Sequence, residues 1–461
     1  MLKTDVLIVG GGPVGLSLAV GLRKQGVNVL VLEKSRSTTD WSHAYTYRID
    51  MRGIECFETL GLLSELESLG VRNDNFDHFL WKVDGTVQPR KGRASNATGY
   101  WIVRPVLQKM IEEKLPRSAM LEGELQDLSY ADGVAKAEVD TAEGTVTVTA
   151  RFVFGCDGSR SAVRESLVKS GGQLAKDFEQ QVLDTPSSGL TYKAMLVRAP
   201  ADFLPSKLYI VQGKSGKTLT FLPFSGGEPG KPRLLAKAGS EKMGFNSFRT
   251  SDDLYKELRK DFPQLNVDEA FDKETVANLC ASSGSIFPKA RWCRKATAWI
   301  DQVGVALLGD ALHSFPPDIA QGVNSGLVDV RVLLECWPRK AFSELSTSAL
   351  KEALDAFDRK QAPEAEAVCK LIPIGMPYQY FQAGFFGKLS FFSSLIVRML
   401  AWKTLPSLFS APVIFAVTSK PALPYTEILE KHHANTRRLV MMLALPILVL
   451  TIVRKLPAPR L

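Results

Sequence analysis

Three glycines near the start of the chain constrain its fold more than any other feature. Gly10, Gly12 and Gly15 follow Asp5–Val9, which reads as a β-strand. They open Val14–Gln25, where Leu16, Ala19, Val20 and Leu22 are the apolar residues of a helix. Gly26 breaks that helix, and Val27–Leu32 reads as a second strand ending in Glu33, 23 positions after Gly10. Glycines so placed permit a tight turn and let the backbone approach a pyrophosphate at the helix N-terminus. An acid at the end of the second strand suits a ribose hydroxyl and disfavours a 2′-phosphate. The stretch predicts a dinucleotide-binding βαβ unit, with NADP an unsuitable occupant of that site.

A second constraint lies late, in Val305–Gly326. Val305–Leu308 reads as a short strand stopped by Gly309 and Asp310, and Asp310 can accept hydrogen bonds from hydroxyls. Pro316 and Pro317 predict no helix there. Gln321, Gly322 and Val323 open one that continues through Leu334. A helix N-terminus bearing glycine offers bare N–H groups to an anionic or electron-rich ligand. Read alone, these residues also fit an ordinary corner around a buried His313. A third corner follows Phe152–Phe154, where Gly155-Cys156-Asp157-Gly158 leads into a helix containing Val163 and Arg164.

Arg48 and Arg104 are candidates to face a ligand. Arg104 stands where Pro105 opens a helix, Pro105–Leu115. A surface salt bridge for Arg48 and solvent for Arg104 are the alternatives. Phe76–Arg90, with a turn at Asp84-Gly85, and residues 190–240 have strand character. Leu121–Ala150 alternates as a β meander with turns at Asp132-Gly133 and Glu143-Gly144. Ser251–Phe262 reads as a helix capped by Ser251. No second G-x-G-x-x-G occurs, so a nicotinamide co-substrate would have no Rossmann domain of its own.

The six cysteines include no Cys-x-x-Cys, which excludes zinc and redox motifs and predicts thiols in a reducing compartment. No metal site is expected. The early first strand predicts no signal or transit peptide. The net charge of +8 is carried entirely by residues 375–461, which hold ten Lys/Arg and two acids. Within them, Tyr378–Trp402 is dense in Phe, Leu and Ile. Its Lys388 and Arg398, with Lys403 just beyond, fall within about 140° on a helical projection. The remaining apolar face suits a helix lying in a membrane interface. Leu439–Val453 carries no charge over 15 residues. It would reach roughly 22 Å, short of a hydrocarbon core of roughly 30 Å. With Pro446 inside, it reads as a marginal anchor or re-entrant helix, the alternative being a buried core or dimer helix. A basic, apolar tail favours anionic lipid over nucleic acid as partner.

Together, Gly10–Gly15, Asp157-Gly158 and Gly309-Asp310-x-x-His313 with Pro317 resemble the flavin-dependent aromatic hydroxylases of the p-hydroxybenzoate hydroxylase type. Within that group the chain is most similar to the kynurenine 3-monooxygenases. The stretch GDALHSFPPDIAQGVNSG, the Arg52-Gly53 helix, Arg104 and the basic tail with Pro424-Tyr425-x-Glu427 carry that likeness. It covers nearly the whole chain, more thinly over residues 165–280.

The resemblance implies an α/β chain. A Rossmann-like FAD-binding domain (residues 1–75, 101–185 and 286–340) is interleaved with a β-sheet substrate domain (76–100 and 186–285). A helical, membrane-associated C-terminus (341–461) follows. By position, the resemblance puts Gly10, Gly12, Val14 and Gly15 on the FAD pyrophosphate. It puts Glu33, Lys34 and the rest of Leu32–Ser35 on the adenosine ribose, and Leu125 near the adenine. Arg48 and Arg104 lie along the flavin side, and Asp310 meets the ribityl–pyrophosphate region. Gly322, Val323 and Asn324 meet the isoalloxazine, and Asp157 belongs to a corner serving FAD and NADPH.

The implied reaction uses NAD(P)H and dioxygen to hydroxylate an aromatic or lipophilic small molecule through a flavin hydroperoxide, with the protein excluding water. No catalytic acid or base is identifiable from the sequence. The implied location is a membrane, with the flavin domain facing a reducing compartment, as on the cytosolic face of the mitochondrial outer membrane. Two other classes stay open: a membrane isoprenoid or lipid epoxidase or reductase, and a non-oxygenating flavin-binding redox protein. The chain departs from the pattern in two ways. Ala320 replaces the first glycine of Gly-Gln-Gly, which costs free energy if φ is positive there. The positions that anchor an amino acid carry Phe76, Arg90 and Gly375 instead of arginine, tyrosine and asparagine. Kynurenine is therefore not the expected preferred substrate.

Overall fold

The structure, a computed structural model, describes residues 1–34, 46–74, 77–90, 98–200, 203–204, 206–223, 232–239, 250–281, 285–340, 342–380, 382 and 384–455. Ser35 and Phe76 lie outside the described residues.

Leu2–Val9 sits at the centre of a mainly parallel sheet because Val6–Val9 is apolar on both faces and wholly buried. Val29–Glu33 pairs with it on one side and Gly144–Gly155 on the other, both parallel. Met120–Glu122 extends the first side and Val303–Leu307 the second, and antiparallel Thr297–Ile300 forms the edge. The first half of Gly144–Gly155 pairs instead with the meander strands Val134–Thr141 and Glu124–Ala131. The turns fall at Asp132-Gly133 and Gly144, all at positive φ. Pro13–Lys24, Gly322–Cys336 and Met51–Leu60 pack as neighbouring helices over this sheet, where Phe152 and Phe154 meet Trp337 edge-on at 5.3 and 5.8 Å.

A second sheet has seven strands, in the order Ser285–Ile286, Thr191–Arg198, Pro232–Gly239, Thr218–Leu222, Leu208–Gln212, His78–Trp81, Val87–Arg90. Alternation along Leu208–Gln212 buries Tyr209 and Val211, which join Leu254, Leu258 and Val276 of the covering helices in a separate core.

Local chemistry moves several helix ends from their sequence-read positions. Met51–Leu60, which contains Arg52 and Gly53, begins where Asp50 caps it, its Oδ1 accepting from Arg52 N at 3.0 Å. Ser251–Asp261 is capped by Thr250, not Ser251. Thr250 is extended and its Oγ1 accepts from Asp253 N at 3.2 Å, whereas Ser251 is already helical. The two prolines do not exclude helix: Pro317–Ile319 forms one 3-10 turn, whose first position needs no N–H.

Past Thr347–Gly375, which runs through Pro363 and Pro373, come Phe385–Thr404 and Tyr425–Lys455. Leu439–Val453 is not a separate segment. It is the distal half of the 31-residue helix Tyr425–Lys455, which continues through Pro446. Tyr425 and Ile428 are buried against Phe315, Ile319 and Leu371. Phe385–Thr404 buries none of its residues, exposes Phe385, Phe386, Ile396 and Leu400, and is long and apolar enough to cross a membrane by length and composition. All six cysteines are free thiols, and burial pushes Cys56 and Cys293 up to about 12.

Candidate cofactor site

The glycine loop leaves the central strand at Gly10, whose φ is +107° and whose N–H donates to Leu32 O at 2.8 Å. A Cβ at Gly15 would lie 2.0 Å from Gly10 O, so the turn closes only without one. Gly12 precedes Pro13–Lys24 with no side-chain cap, and a Cβ there would meet nothing within 4 Å. The loop is tight on its inner face and bare on its outer face. Glu33 Oε2 accepts from Gly11 N at 2.6 Å, so the acid also braces the loop, and Lys34 beside it is exposed. Gln108 Nε2 donates to Gly11 O at 3.2 Å, and Arg104 Nε donates to Gln108 Oε1 at 3.1 Å. Arg104, the first residue of Arg104–Glu112, therefore stands beside the loop. Gly123 N donates to Glu33 O at 3.0 Å, which brings Leu125, paired with Val139, close to the same strand end.

Val14 joins the early and late motifs. Its Cγ2 would lie 3.1 Å from a Cβ at Gly309 and 2.6 Å from one at Gly326. Gly309 has φ +59° and donates through its N–H to Asp329 Oδ2 at 2.8 Å. The same oxygen pairs with His313 Nε2 at 2.8 Å, both side chains being buried. Burial lowers the His313 pKa, but the charge and hydrogen bond of Asp329 outweigh it and the net shift is upward. His313 thus braces the corner that presents Asp310. Asp310 is exposed to solvent but crowded by protein on its other sides. That desolvation raises its carboxyl against the opposing pull of His313 and Arg104.

The Asp157 corner abuts the loop directly, since a Cβ at Gly10 would strike Cys156 O at 2.3 Å. Asp157 Oδ2 accepts from Ala162 N at 2.7 Å and Val163 N at 3.2 Å, while Oδ1 is buried without a hydrogen bond. Burial raises this carboxyl too, against the hydrogen bonds from Ser161 and the helix N-terminus.

Gly322–Cys336 begins after Gln321, with open space where a Gly322 Cβ would stand. Ala320 has φ +53° and ψ +38°, so the left-handed conformation that glycine would favour is present with alanine in it. Val323 is half-buried beside it. The Asn324 side chain is fully engaged: Oδ1 accepts from Asp50 N at 3.0 Å, and Nδ2 donates to Arg48 O at 2.9 Å and Ala320 O at 3.2 Å. Arg48 is no surface salt bridge. It is buried, its Nη2 donates to Asn73 O at 3.2 Å, and burial lowers its pKa to about 10. Asp50, which sequence reasoning did not single out, completes this end with Gln321 and Tyr425, which the sequence marked only as part of a helix start and of the Pro424-Tyr425-x-Glu427 motif. Asp50 carried one usable signal, a capping residue before the Arg52-Gly53 helix.

The set fits a bound dinucleotide. Backbone is bare at Gly12 and Gly322, Asp157 Oδ1 lacks a hydrogen bond, and Asp310 is exposed. The family model of the FAD binding domain matches residues 3–371. The chain belongs to the FAD binding domain family. It is 27% identical over 378 residues to rifampicin monooxygenase of Rhodococcus hoagii, covering 79% of this chain and 69% of that protein. It is 24% identical over 362 residues to kynurenine 3-monooxygenase of Dictyostelium discoideum, covering 75% and 73%. HpxO of Klebsiella pneumoniae, solved with FAD and uric acid, shares the fold with a TM-score of 0.56 at 18% identity, over 81% of this chain and 87% of that one. PqsL of Pseudomonas aeruginosa shares it at 0.51 and 20%, over 80% and 97%. In fold and relatives the chain stands among FAD-dependent monooxygenases.

Proposed function

We propose that this protein uses NAD(P)H and dioxygen to hydroxylate an aromatic or lipophilic small molecule at bound FAD. The observation that carries the reading is the meeting of three distant motifs at Val14: the glycine loop, Gly309-Asp310, and the helix that begins at Gly322. FAD supplies the redox and oxygen-activating chemistry. The chain's own residues bind and orient it. Gly10, Gly12, Val14 and Gly15 take the pyrophosphate at the helix N-terminus, and Glu33, Lys34 and Leu125 flank the adenosine. Asp310 takes the ribityl chain, and Arg48 and Arg104 border the flavin side. The backbone of Gly322, Val323 and Asn324 meets the ring, and the Asp157 corner closes the adjoining wall. In this reading residues 1–75, 101–185 and 286–340 hold the cofactor, 76–100 and 186–285 bear the substrate, and 341–461 form the helical C-terminus.

Kynurenine is not the preferred substrate in this reading. An anchoring side chain at position 375 has no space, because a Cβ at Gly375 would lie 2.2 Å from Ile319 Cγ2. Arg90 is exposed and turned to Gln88 Oε1 at 3.3 Å. Buried polar groups of an amino acid left without partners would cost roughly 1–3 kcal/mol each.

The test is mass spectrometry of a metabolite extract incubated with the holoenzyme, NAD(P)H and labelled dioxygen. One labelled oxygen in a product, with matching oxygen uptake, is the expected result. No uptake with any extract points to a non-oxygenating flavoprotein. Efficient 3-hydroxykynurenine formation at micromolar kynurenine refutes the substrate assignment. We further propose that the C-terminal helices hold the protein on a membrane. Support comes from the unburied apolar face of Phe385–Thr404 together with the +8 excess of residues 375–461.

A further inference from the structure

Residues 406–410 follow the apolar helix Phe385–Thr404 and fold back against the 31-residue helix Tyr425–Lys455. Two side chains of the longer helix pin them there. Asn435 Oδ1 accepts from Ser410 N at 3.1 Å, and Asn435 Nδ2 donates to Ser410 O at 2.9 Å. Arg438 Nη1 donates to Leu408 O at 2.6 Å. Arg398 Nη2 donates to Thr436 Oγ1 at 2.8 Å, so the two helices also meet at this level. Between the pinned segment and the longer helix is a cavity of about 560 Å³, open on one side. That volume lies within the range of small-molecule sites, roughly 300–1,000 Å³.

The cavity is basic. Lys431, Arg437 and Arg438 line it from one face of the helix, with His433 beside them, and the lining sets Glu430 against them. Lys431 is already paired with Glu427 at 2.6 Å, and Arg438 holds the Leu408 carbonyl. Arg437 is exposed, and its guanidinium has no partner among the described residues. A planar guanidinium fork matches two oxygens of a phosphate. Exposed apolar residues stand at both edges of the cavity. Leu405 and Leu408 belong to its pinned wall, and Val440, Met441 and Met442 follow Arg438 directly on the helix. A soluble anion would use the cations alone and leave those leucines and methionines in water. A membrane lipid uses both, its headgroup among the basic residues and its chains along the apolar ones.

We propose that this cavity binds the phosphodiester of an anionic membrane phospholipid, with the Arg437 guanidinium donating to the phosphate oxygens and the acyl chains lying along Leu405, Leu408 and Val440. The inference rests on the membrane attachment proposed above and adds to it a built headgroup site. Arg438 and Lys431 supply positive field while keeping their own partners. Glu430 sets a like charge against any second anionic group on the headgroup, so a singly charged phosphodiester is the class that fits.

Full-length wild type, Arg437→Gln and Lys403→Gln are sedimented with phosphatidylcholine vesicles containing either phosphatidylglycerol or oleate, matched in zeta potential. Oleate carries its carboxylate below the phosphate level, so it supplies surface potential without a headgroup to fill the cavity. Lys403 lies on the apolar helix outside the cavity, so Lys403→Gln removes the same charge and leaves the site intact. Wild type should bind the phosphatidylglycerol vesicles about tenfold the more tightly. Lys403→Gln should weaken binding to both about fivefold. Arg437→Gln should weaken oleate vesicles about fivefold but phosphatidylglycerol vesicles about fiftyfold, through the lost charged hydrogen bonds. Equal wild-type binding to the two vesicles, or equal losses in the two variants, would overturn the headgroup site and leave membrane attachment standing. Sedimentation with neither vesicle defeats the attachment reading and this proposal together. If Arg437→Gln does not fold, the wild-type preference between the vesicles decides by itself. Glycerol 3-phosphate without vesicles should bind no tighter than millimolar by calorimetry. Micromolar affinity would assign the cavity to a soluble phosphate ester and overturn the lipid.

Discussion

The hydroxyl of Tyr425 donates to Gln321 Oε1 at 2.7 Å, which bonds the first turn of a 31-residue helix to the residue preceding Gly322. Gln321 Nε2 donates to Asp50 Oδ2 at 2.7 Å, and Asp50 N donates to Asn324 Oδ1 at 3.0 Å. Arg52 lies 4.6 Å from the Tyr425 ring centroid and donates to Val417 O at 2.5 Å and Leu423 O at 2.6 Å. The C-terminal region and the candidate flavin helix thus share one buried polar network.

Tyr425→Phe keeps the ring beneath Arg52 but leaves Gln321 Oε1 unpaired in a buried place. A loss of about 1–3 kcal/mol is expected. Urea unfolding of the holoenzyme and the rate of FAD release on dilution should both show it. Wild-type values for both would mean the network does not hold the site.

The two loop glycines should fail differently. Gly12→Val adds atoms only on the open face, so the protein should fold with near-normal melting of its cofactor-free form yet purify colourless. Gly15→Val meets Gly10 O and should lower melting as well. A yellow Gly12→Val protein would contradict the assignment of that face to the cofactor.

Ala320 holds φ +53°, a conformation costing a non-glycine residue on the order of 1 kcal/mol. Ala320→Gly should raise stability by about 0.5–1 kcal/mol, net of the greater entropy of glycine in the unfolded chain. Chemical denaturation measures it, and a clear destabilisation would argue against strain at this position.

Stability should fall as pH rises from about 4 towards neutrality. The folded-state pKa of Asp318 is about 7 against 3.8 normally. The folded chain therefore keeps a proton that the unfolded chain releases in that window. The stabilisation is complete below about pH 4 and is lost as pH rises through about 7. Burial shifts Asp157 in the same direction. Melting temperature should drop between about pH 4 and 7 and level off above, and the drop should be less steep in Asp318→Asn, which has no proton to release. Equal slopes would exclude Asp318 as the source.

Membrane association is checked by sedimentation with anionic vesicles. Basic residues near such a surface contribute roughly 1 kcal/mol each, so salt should weaken binding without abolishing it. Truncation near Asn435 should weaken binding further. Full-length protein that stays in the supernatant at low salt without detergent would show that the tail packs on protein instead.

What the sequence determined by itself was local. The Gly10–Gly15 spacing, the apolar strand ahead of it and the period of the following helix specify the βαβ unit, because turn geometry and side-chain period act over a few residues. The meander turns were legible for the same reason, whereas a left-handed residue at position 320 was suggested only by the glycine that the resembling family carries there. The tertiary structure alone decided which side chains face one another. It turned the Asn324 amide onto Asp50 and Arg48, set Ser187 and Tyr380 around Asp318, and seated Tyr425 against Gln321 and Arg52. Those partners are separated by tens to hundreds of residues, and nothing in local periodicity encodes them. Packing of the sheet, the flavin-side helix and the C-terminal helix brings them within hydrogen-bond range, and burial then gives Asp318 a pKa that its residue type alone would not.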